Sequence, residues 1–302
     1  MLSASTGPTH PRDPFADTWV VLPTYNEAEN VSPISAAILG QLPGCTLLVV
    51  DDASPDGTGT LADELADRDP RIRVLHRRAK QGLGRAYIDG FRRALEAGAR
   101  RIVQMDADWS HDPAALPDLL APLLGEVDLV IGSRYVRGGG VVDWGVGRRI
   151  VSRSGSLFAR TVLRLPAHDL TGGFKAWRRE TLEAIPWSAV HAGGYVFKIE
   201  TTYLAERGGA RIVEVPILFH DRRVGVSKMS RRIIGEALLV VLTLRWEELR
   251  GRRPVPAAAS SAGTDTRADT PAAAPGTVPS AAGSPPPPGP SAGTAAAPDG
   301  RP

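Results

Sequence analysis

The chain has 302 residues, 42% of them apolar, with 36 Lys and Arg against 33 Asp and Glu for a formal net charge of +3. That is apolar material for one large α/β domain or two small ones. The charge balance is too even for a bulk nucleic-acid binder, so no nucleic-acid partner is expected. The single cysteine, Cys45, excludes an internal disulfide framework and a cysteine zinc cluster.

Residues 1–15 are rich in Pro, Ser and Thr and lack an apolar h-region, which predicts a disordered leader rather than a secretory signal. The folded part is expected at 16–250. Its first strand, Trp19 to Leu22, runs into Pro23-Thr24-Tyr25-Asn26-Glu27. Proline closes the strand, and Tyr25 and Glu27 can project from the loop. A helix is predicted from Glu29 to Leu39. The second strand, Thr46 to Val50, ends in Asp51-Asp52-Ala53-Ser54-Pro55-Asp56-Gly57-Thr58. Paired carboxylates at a strand tip suit ribose hydroxyls or base N–H groups, and Pro55-Asp56-Gly57 is also ordinary turn chemistry.

A helix from Thr60 to Asp67 and a strand from Ile72 to Leu75 follow. Lys80-Gln81-Gly82-Leu83-Gly84 then opens a helix running to Ala97. Glycines there let backbone N–H groups approach an anion at a helix N-terminus, although the spacing is not that of a phosphate loop. The fourth strand, Ile102 to Met105, ends in Asp106-Ala107-Asp108. In an extended segment both carboxylates share a face, because the side-chain period is two. Two hard oxygen ligands suit Mg2+ or Mn2+, bridged onward to substrate phosphates. His111 reads either as a further ligand or, with Asp112-Pro113 beside it, as a helix-start hydrogen-bonding group. That helix is predicted over Ala114 to Leu124.

Beyond the fifth strand, Leu129 to Ile131, the signals thin. Arg134 follows that strand, Arg148 lies further on, and Arg222 and Lys228 flank Gly225-Val226-Ser227. Arginine suits forked phosphate contacts. Leu170 to Phe174 and Gly193-Gly194-Tyr195 read as pocket loops or plain turns. Met229 to Leu249 is predicted to form an amphipathic helix flanked by arginines, able to lie at a membrane surface or pack on the domain. No apolar run reaches the roughly 20 residues needed to span a bilayer. Residues 254–302 are rich in Ala, Pro, Gly, Ser and Thr and should be disordered. Strand–helix alternation predicts a mostly parallel sheet covered on both faces, with ligands at the strands' carboxyl ends.

Taken together, Val21 to Glu27, Val49 to Thr58, Met105 to Asp108, Gly132-Ser133-Arg134-Tyr135 and Gly225 to Lys228 resemble the dolichol-phosphate mannose synthases of glycosyltransferase family 2. The strings keep the family's order over about residues 19–230. The resemblance implies a single-domain GT-A fold, a GDP-mannose donor, a polyprenyl phosphate acceptor and a cytoplasmic enzyme peripheral on the cytoplasmic face of the membrane, with or without a separate membrane-anchored subunit. It implies that Pro23, Tyr25, Glu27, Val50 and Asp52 hold the nucleoside, and that Asp106, Ala107 and Asp108 face the diphosphate, the two aspartates at the metal. Arg222 and Lys228 would clamp donor phosphates, and Arg134, Arg148 and Ser152 would receive the lipid phosphate. The alternatives are a UDP-glucose-dependent glucosyltransferase and a non-catalytic nucleotide-sugar-binding scaffold. Three positions depart from the pattern: Ser110 and Lys198 stand where relatives carry glutamine, and Ser156 where they carry asparagine.

Overall fold

A computed structural model describes residues 13–191, 194–221 and 231–251. Most of the expected leader, the Ala/Pro-rich tail and the 222–230 stretch lie outside them. The elements in chain order are β1 (Thr18–Thr24), α1 (Ala28–Gln41), β2 (Thr46–Asp51), α2 (Thr58–Arg68), β3 (Ile72–His76), α3 (Leu83–Glu96), β4 (Arg101–Gln104), α4 (Leu116–Leu120) and β5 (Leu129–Ser133). There follow β6 (Gly140–Val141), α5 (Val146–Leu163), β7 (Lys175–Arg178), α6 (Arg179–Glu183), α7 (Gly194–Arg207), β8 (Ile212–Pro216), β9 (Leu218–Phe219) and α8 (Arg231–Leu249).

Seven strands form one sheet in the order β3-β2-β1-β4-β7-β5-β8. All neighbours pair in parallel except β7, which runs antiparallel to β4 and β5. Strand β3, at the edge of the sheet, is only partly buried. The apolar runs of β1, β2, β4 and β5 sit where both faces are covered, as a continuous apolar composition requires. Alternation divides them. Val21, Leu48, Val50, Ile102 and Leu129 face the layer of α3, α5, α7 and α8. Val20, Leu22, Leu47, Val49 and Val103 face α1, α2 and α4. Cys45 is buried, and burial pushes its thiol up to about 12, which leaves it inert at neutral pH.

Two local expectations change. The single helix over Ala114 to Leu124 is broken into a 3-10 turn, the short α4 and a second 3-10 turn. Pro113, Pro117 and Pro122 lack the N–H that a continuous ladder needs. The strand β7 is new, because Lys175-Ala176-Trp177-Arg178 offers no apolar run, yet Lys175 is wholly buried. Its ammonium donates to the Lys198 carbonyl at 2.5 Å and to Thr202 Oγ1 at 2.6 Å. Burial and the nearby Lys198 charge pull its pKa down to about 7. Because β7 runs against its neighbours, its start lies beside the end of β4. The loop Gly172-Gly173-Phe174 is thereby delivered to the Asp106 segment.

Candidate active site

Three loops leave the carboxyl ends of β1, β2 and β4 through a non-glycine residue in the left-handed region. These are Asn26 (φ 58), Ala53 (φ 58) and Trp109 (φ 61). Such a conformation costs an L residue energy and persists only where its surroundings over-determine it. Here the hydrogen bonds do so. The Asn26 N–H donates to Ser54 Oγ at 3.1 Å, Glu27 N–H to Thr58 Oγ1 at 2.9 Å, and Ala28 N–H to the Asp56 carboxylate at 3.1 Å. Asp51 accepts from the Thr24 hydroxyl at 3.1 Å and the Ser54 hydroxyl at 2.6 Å.

The adjacent acids of β2 therefore have different tasks. Asp51 ties the first two loops together. Asp52 is ion-paired with Arg77 and accepts from the Gln81 and Gly82 N–H groups at 3.2 and 3.1 Å, which anchors the Lys80–Gly84 loop to the sheet. That loop brings the Lys80 ammonium 3.4 Å above the Tyr25 ring. Pro23 and Val50 are register partners and both buried. Glu27 accepts from Asn30 Nδ2 at 2.7 Å. The five residues expected around the nucleoside are thus gathered at the carboxyl ends of β1 and β2, and Tyr25 and Glu27 are partly exposed there.

Asp106, Ala107 and Asp108 lie just beyond the last residue of β4, not within the strand. Ala107 packs into the core. Asp106 accepts from the Tyr87 hydroxyl at 2.7 Å and from the Lys198 ammonium at 3.0 Å. Asp108 accepts from the Ser110 N–H at 3.1 Å and its hydroxyl at 2.5 Å. Burial raises the Asp106 carboxyl, but the Lys198 charge and the hydrogen bonds from Tyr87 and Lys198 outweigh it and hold it well below the usual range. Burial and the Asp106 charge push the Tyr87 hydroxyl well up, with Asp108 adding to the effect.

His111 is buried between the Phe174 and Phe219 rings, at centroid distances of 5.0 and 5.3 Å. Its Nδ1 accepts from the Asp106 N–H at 3.4 Å, and its Nε2 is buried without a hydrogen-bond partner among the described residues. Burial lowers its pKa to about 4 against the pull of Asp106, so it is neutral at pH 7. The helix-start reading of His111 does not hold. Asp112 makes that cap, accepting from the Ala114 N–H at 2.9 Å.

The residues expected at the acceptor also converge. Arg134 forks onto buried Asp169, with Nε and Nη2 at 2.7 and 2.6 Å from its oxygens, and donates to Thr171 Oγ1 at 2.7 Å. Arg148 donates to Asp221 at 2.6 Å, and its Nε is buried without a partner among the described residues. Both guanidinium groups lie over the Trp144 ring, at 5.5 and 4.1 Å from its centroid. Ser152 accepts from the Tyr135 hydroxyl at 2.6 Å. The Trp144 ring meets Phe219 at 5.3 Å, and Phe219 meets His111, so aromatic contacts join this basic cluster to the aspartates. Arg222 and Lys228 lie outside the described residues. Tyr87, Asp169 and Trp144 carried no signal in the sequence.

Among the described residues no group of three or more His, Cys, Asp or Glu side chains is arranged to hold a metal. Asp106 and Asp108 are of the right chemistry for a hard divalent ion, which would need its further oxygen ligands from outside this pair. Residues 19–185 match the model of glycosyl transferase family 2. The chain belongs to that family. It is an enzyme, a glycosyltransferase. An undecaprenyl-phosphate mannosyltransferase of Micrococcus luteus is 49% identical over 77% of the chain and 97% of its own length. A polyprenol monophosphomannose synthase of Mycolicibacterium smegmatis is 48% identical over 79% of the chain and 89% of its own length. The fold is that of a mannosyltransferase from Pyrobaculum calidifontis in complex with GDP-Man and Mn2+, at TM-score 0.52 and 20% identity over 80% of this chain and 66% of that one. It is equally that of glucosyl-3-phosphoglycerate synthase from Mycobacterium tuberculosis with Mn2+ and UDP-glucose, at TM-score 0.56 and 22% identity over 76% and 78%.

Proposed function

We propose that this glycosyltransferase moves mannose from GDP-mannose to a polyprenyl phosphate and yields a lipid-linked β-mannose. The observation that carries the reading is the placement of two oppositely charged groups on adjoining ground. Asp106 and Asp108 stand on one side of the His111–Phe219–Trp144 contacts, and Arg134, Arg148 and Ser152 stand on the other. The names of the two relatives near 50% identity support mannose and a polyprenyl phosphate in particular.

A phosphate monoester is largely dianionic at pH 7, with a second pKa of about 6, so it attacks without a strong general base. The basic cluster suits that task. Arg148 is partly exposed beside Trp144, while Asp169 and Thr171 fix the orientation of the Arg134 guanidinium. The departing nucleoside diphosphate needs charge neutralised. A Mg2+ or Mn2+ ion held by Asp106 and Asp108 would supply that electrostatic stabilisation. Arg222 and Lys228 are assigned to the same diphosphate on the family pattern. Pro23, Tyr25, Glu27, Val50 and Asp52 are assigned to the nucleoside. Direct attack on an α-linked donor inverts the anomeric carbon.

Among the described residues no helix is long and apolar enough to cross a membrane. We assign the approach to the lipid to α8 and α5. On α8, Val241 and Leu244 are buried while Leu239 and Leu242 are 67% and 51% exposed, so one face packs and the other is left outward. On α5, Ile150 and Leu157 are exposed among Arg149, Arg153 and Arg160, with no acidic residue in the helix. Exposed apolar side chains among cations suit an anionic bilayer surface.

The test is to incubate the purified protein with Mn2+, a polyprenyl phosphate and each of GDP-mannose, UDP-glucose and GDP-glucose, and to identify the product. Polyprenyl phosphate β-mannose from GDP-mannose alone is expected. A glucosylated lipid from UDP-glucose, or no transfer with any donor, overturns the reading.

A further inference from the structure

Asp106 and Asp108 have different neighbours. Asp108 accepts from the neutral N–H and hydroxyl of Ser110. Asp106 has the Tyr87 hydroxyl on one oxygen and the Lys198 ammonium, 3.0 Å away, on the other. The Lys198 side chain is only 6% exposed. Burial reduces the screening of its charge, so it acts on Asp106 more strongly than a surface cation would.

Gly173 leaves room for this contact. A Cβ added at Gly173 would lie 2.2 Å from Lys198 Nζ, 2.9 Å from its Cε and 3.0 Å from the same Asp106 oxygen. Glycine is the residue type that leaves the ammonium its place. The Lys198 backbone is pinned as well, because its carbonyl accepts from buried Lys175 and from Thr202 Oγ1 at 3.0 Å. The cation beside Asp106 is therefore a positioned group on largely buried contacts.

A fixed monovalent cation on one oxygen of a carboxylate opposes a divalent ion there in two ways. It occupies a lone pair, and it repels the incoming charge. A nucleoside diphosphate reverses both effects, since its negative charge attracts the ammonium and the divalent ion alike. We propose that Lys198 is a positioning residue that acts through Asp106: it keeps the Asp106/Asp108 pair a poor site for a divalent metal in the free enzyme and couples metal entry to the arrival of the donor diphosphate. By linkage, the metal raises diphosphate affinity by the factor by which the diphosphate raises metal affinity. The inference rests on the metal reading of the aspartate pair given above.

The experiment is a Mn2+ titration of the purified full-length protein followed by the electron paramagnetic resonance signal of free Mn2+. It is run with and without saturating GDP, against a protein-free GDP blank. Parent, Lys198→Gln, Lys198→Met and Asp108→Asn are compared after thermal melts establish folding. The parent is expected to bind Mn2+ weakly alone and at least about tenfold more tightly with GDP, in the range by which groups supporting a metal ligand act. Lys198→Gln and Lys198→Met should bind Mn2+ about tenfold more tightly than the parent without GDP, and the gain from GDP should shrink. Asp108→Asn should lose binding in every condition. Equal Mn2+ affinity in the parent and both Lys198 variants without GDP overturns the role of Lys198 and leaves the metal site standing. No Mn2+ binding by parent or Lys198 variants, even with GDP, overturns the metal reading and the inference with it.

Discussion

The carboxylates assigned to the donor come from the chain before residue 134, and the arginines assigned to the acceptor come from residue 134 onward. Each part also carries counter-charges: Arg77 and Lys80 in the first, Asp169 and Asp221 in the second. Asp51, Asp52, Asp56, Asp106 and Asp108 come from the tips of parallel strands in the first half. Arg134, Arg148 and Lys198 come from the loop after β5 and from α5 and α7 in the second half. The acids sit at the carboxyl ends of the strands; the loops after β1 and β2 are hydrogen-bonded to each other, while Asp106 is held by Tyr87 and Lys198. The cations arrive from elements packed across one face and are held by long-range partners such as Asp169 and Asp106. A strand tip can therefore present an acid by the place of its residue in the topology, whereas Arg134, Arg148 and Lys198 are brought to the site by tertiary packing.

If that contrast is right, the cationic half should be the more fragile. Asp169→Ala strands the buried Arg134 guanidinium. Breaking a buried pair in this way costs about 3–5 kcal/mol, and denaturant unfolding should show a loss of that size. A loss below ~1 kcal/mol would show that Arg134 does not depend on Asp169.

In the acidic half the larger effect should fall on chemistry. Asp108→Asn is expected to lower kcat about 10²–10³-fold, on the scale of a lost electrostatic stabiliser, while the melting temperature stays close to the parent's. Treating the parent with EDTA should do the same. Full turnover in EDTA would remove the metal from the account.

Lys175 sharpens the comparison through pH. Its pKa is about 7 in the fold against 10.5 as the ordinary value. Between those values the unfolded chain holds the proton and the folded one does not, so this group makes stability rise with pH. Relative to Lys175→Met, the parent should gain up to about 1.4 kcal/mol per pH unit from pH 7 to 9. A parallel pH dependence in the two proteins would place a charged lysine in the core.

The smallest effect on the fold is expected at α8. Leu239→Ser with Leu242→Ser should change stability by no more than about 0.5 kcal/mol, as exposed positions do, yet weaken flotation with anionic vesicles. Unfolding of the double variant, or unchanged flotation, would reassign that face.

The difference between the halves also governs what the amino-acid sequence made readable. Strands β1, β2 and β5 were legible because they are buried and carry unbroken apolar runs, while β4 and the half-exposed edge strand β3 were legible from shorter runs, Ile102-Val103 and Val74-Leu75. The aspartate pair was legible because a short acidic motif directly follows one of them. Strand β7 was not, since its burial rests on Trp177 and on a lysine whose partners lie on α7. Helix α5 mixes Gly, Ser and Arg through its length, and its buried residues Ser152, Ser156, Ala159 and Leu163 make a weak stripe. Tyr87 reads as one more apolar residue of α3 until the fold sets its hydroxyl against Asp106. Lys198 was visible as a departure from the family's glutamine, but its partner was not.

The division of labour is tested most directly by isothermal titration of GDP-mannose into the parent protein and into Arg148→Ala, each with Mn2+ and with EDTA. The account expects donor binding in Mn2+, binding at least about tenfold weaker in EDTA, and the same two values in Arg148→Ala. Donor affinity that ignores Mn2+, or that falls in Arg148→Ala as far as it does in EDTA, would contradict the separation of an acidic donor side from a basic acceptor side.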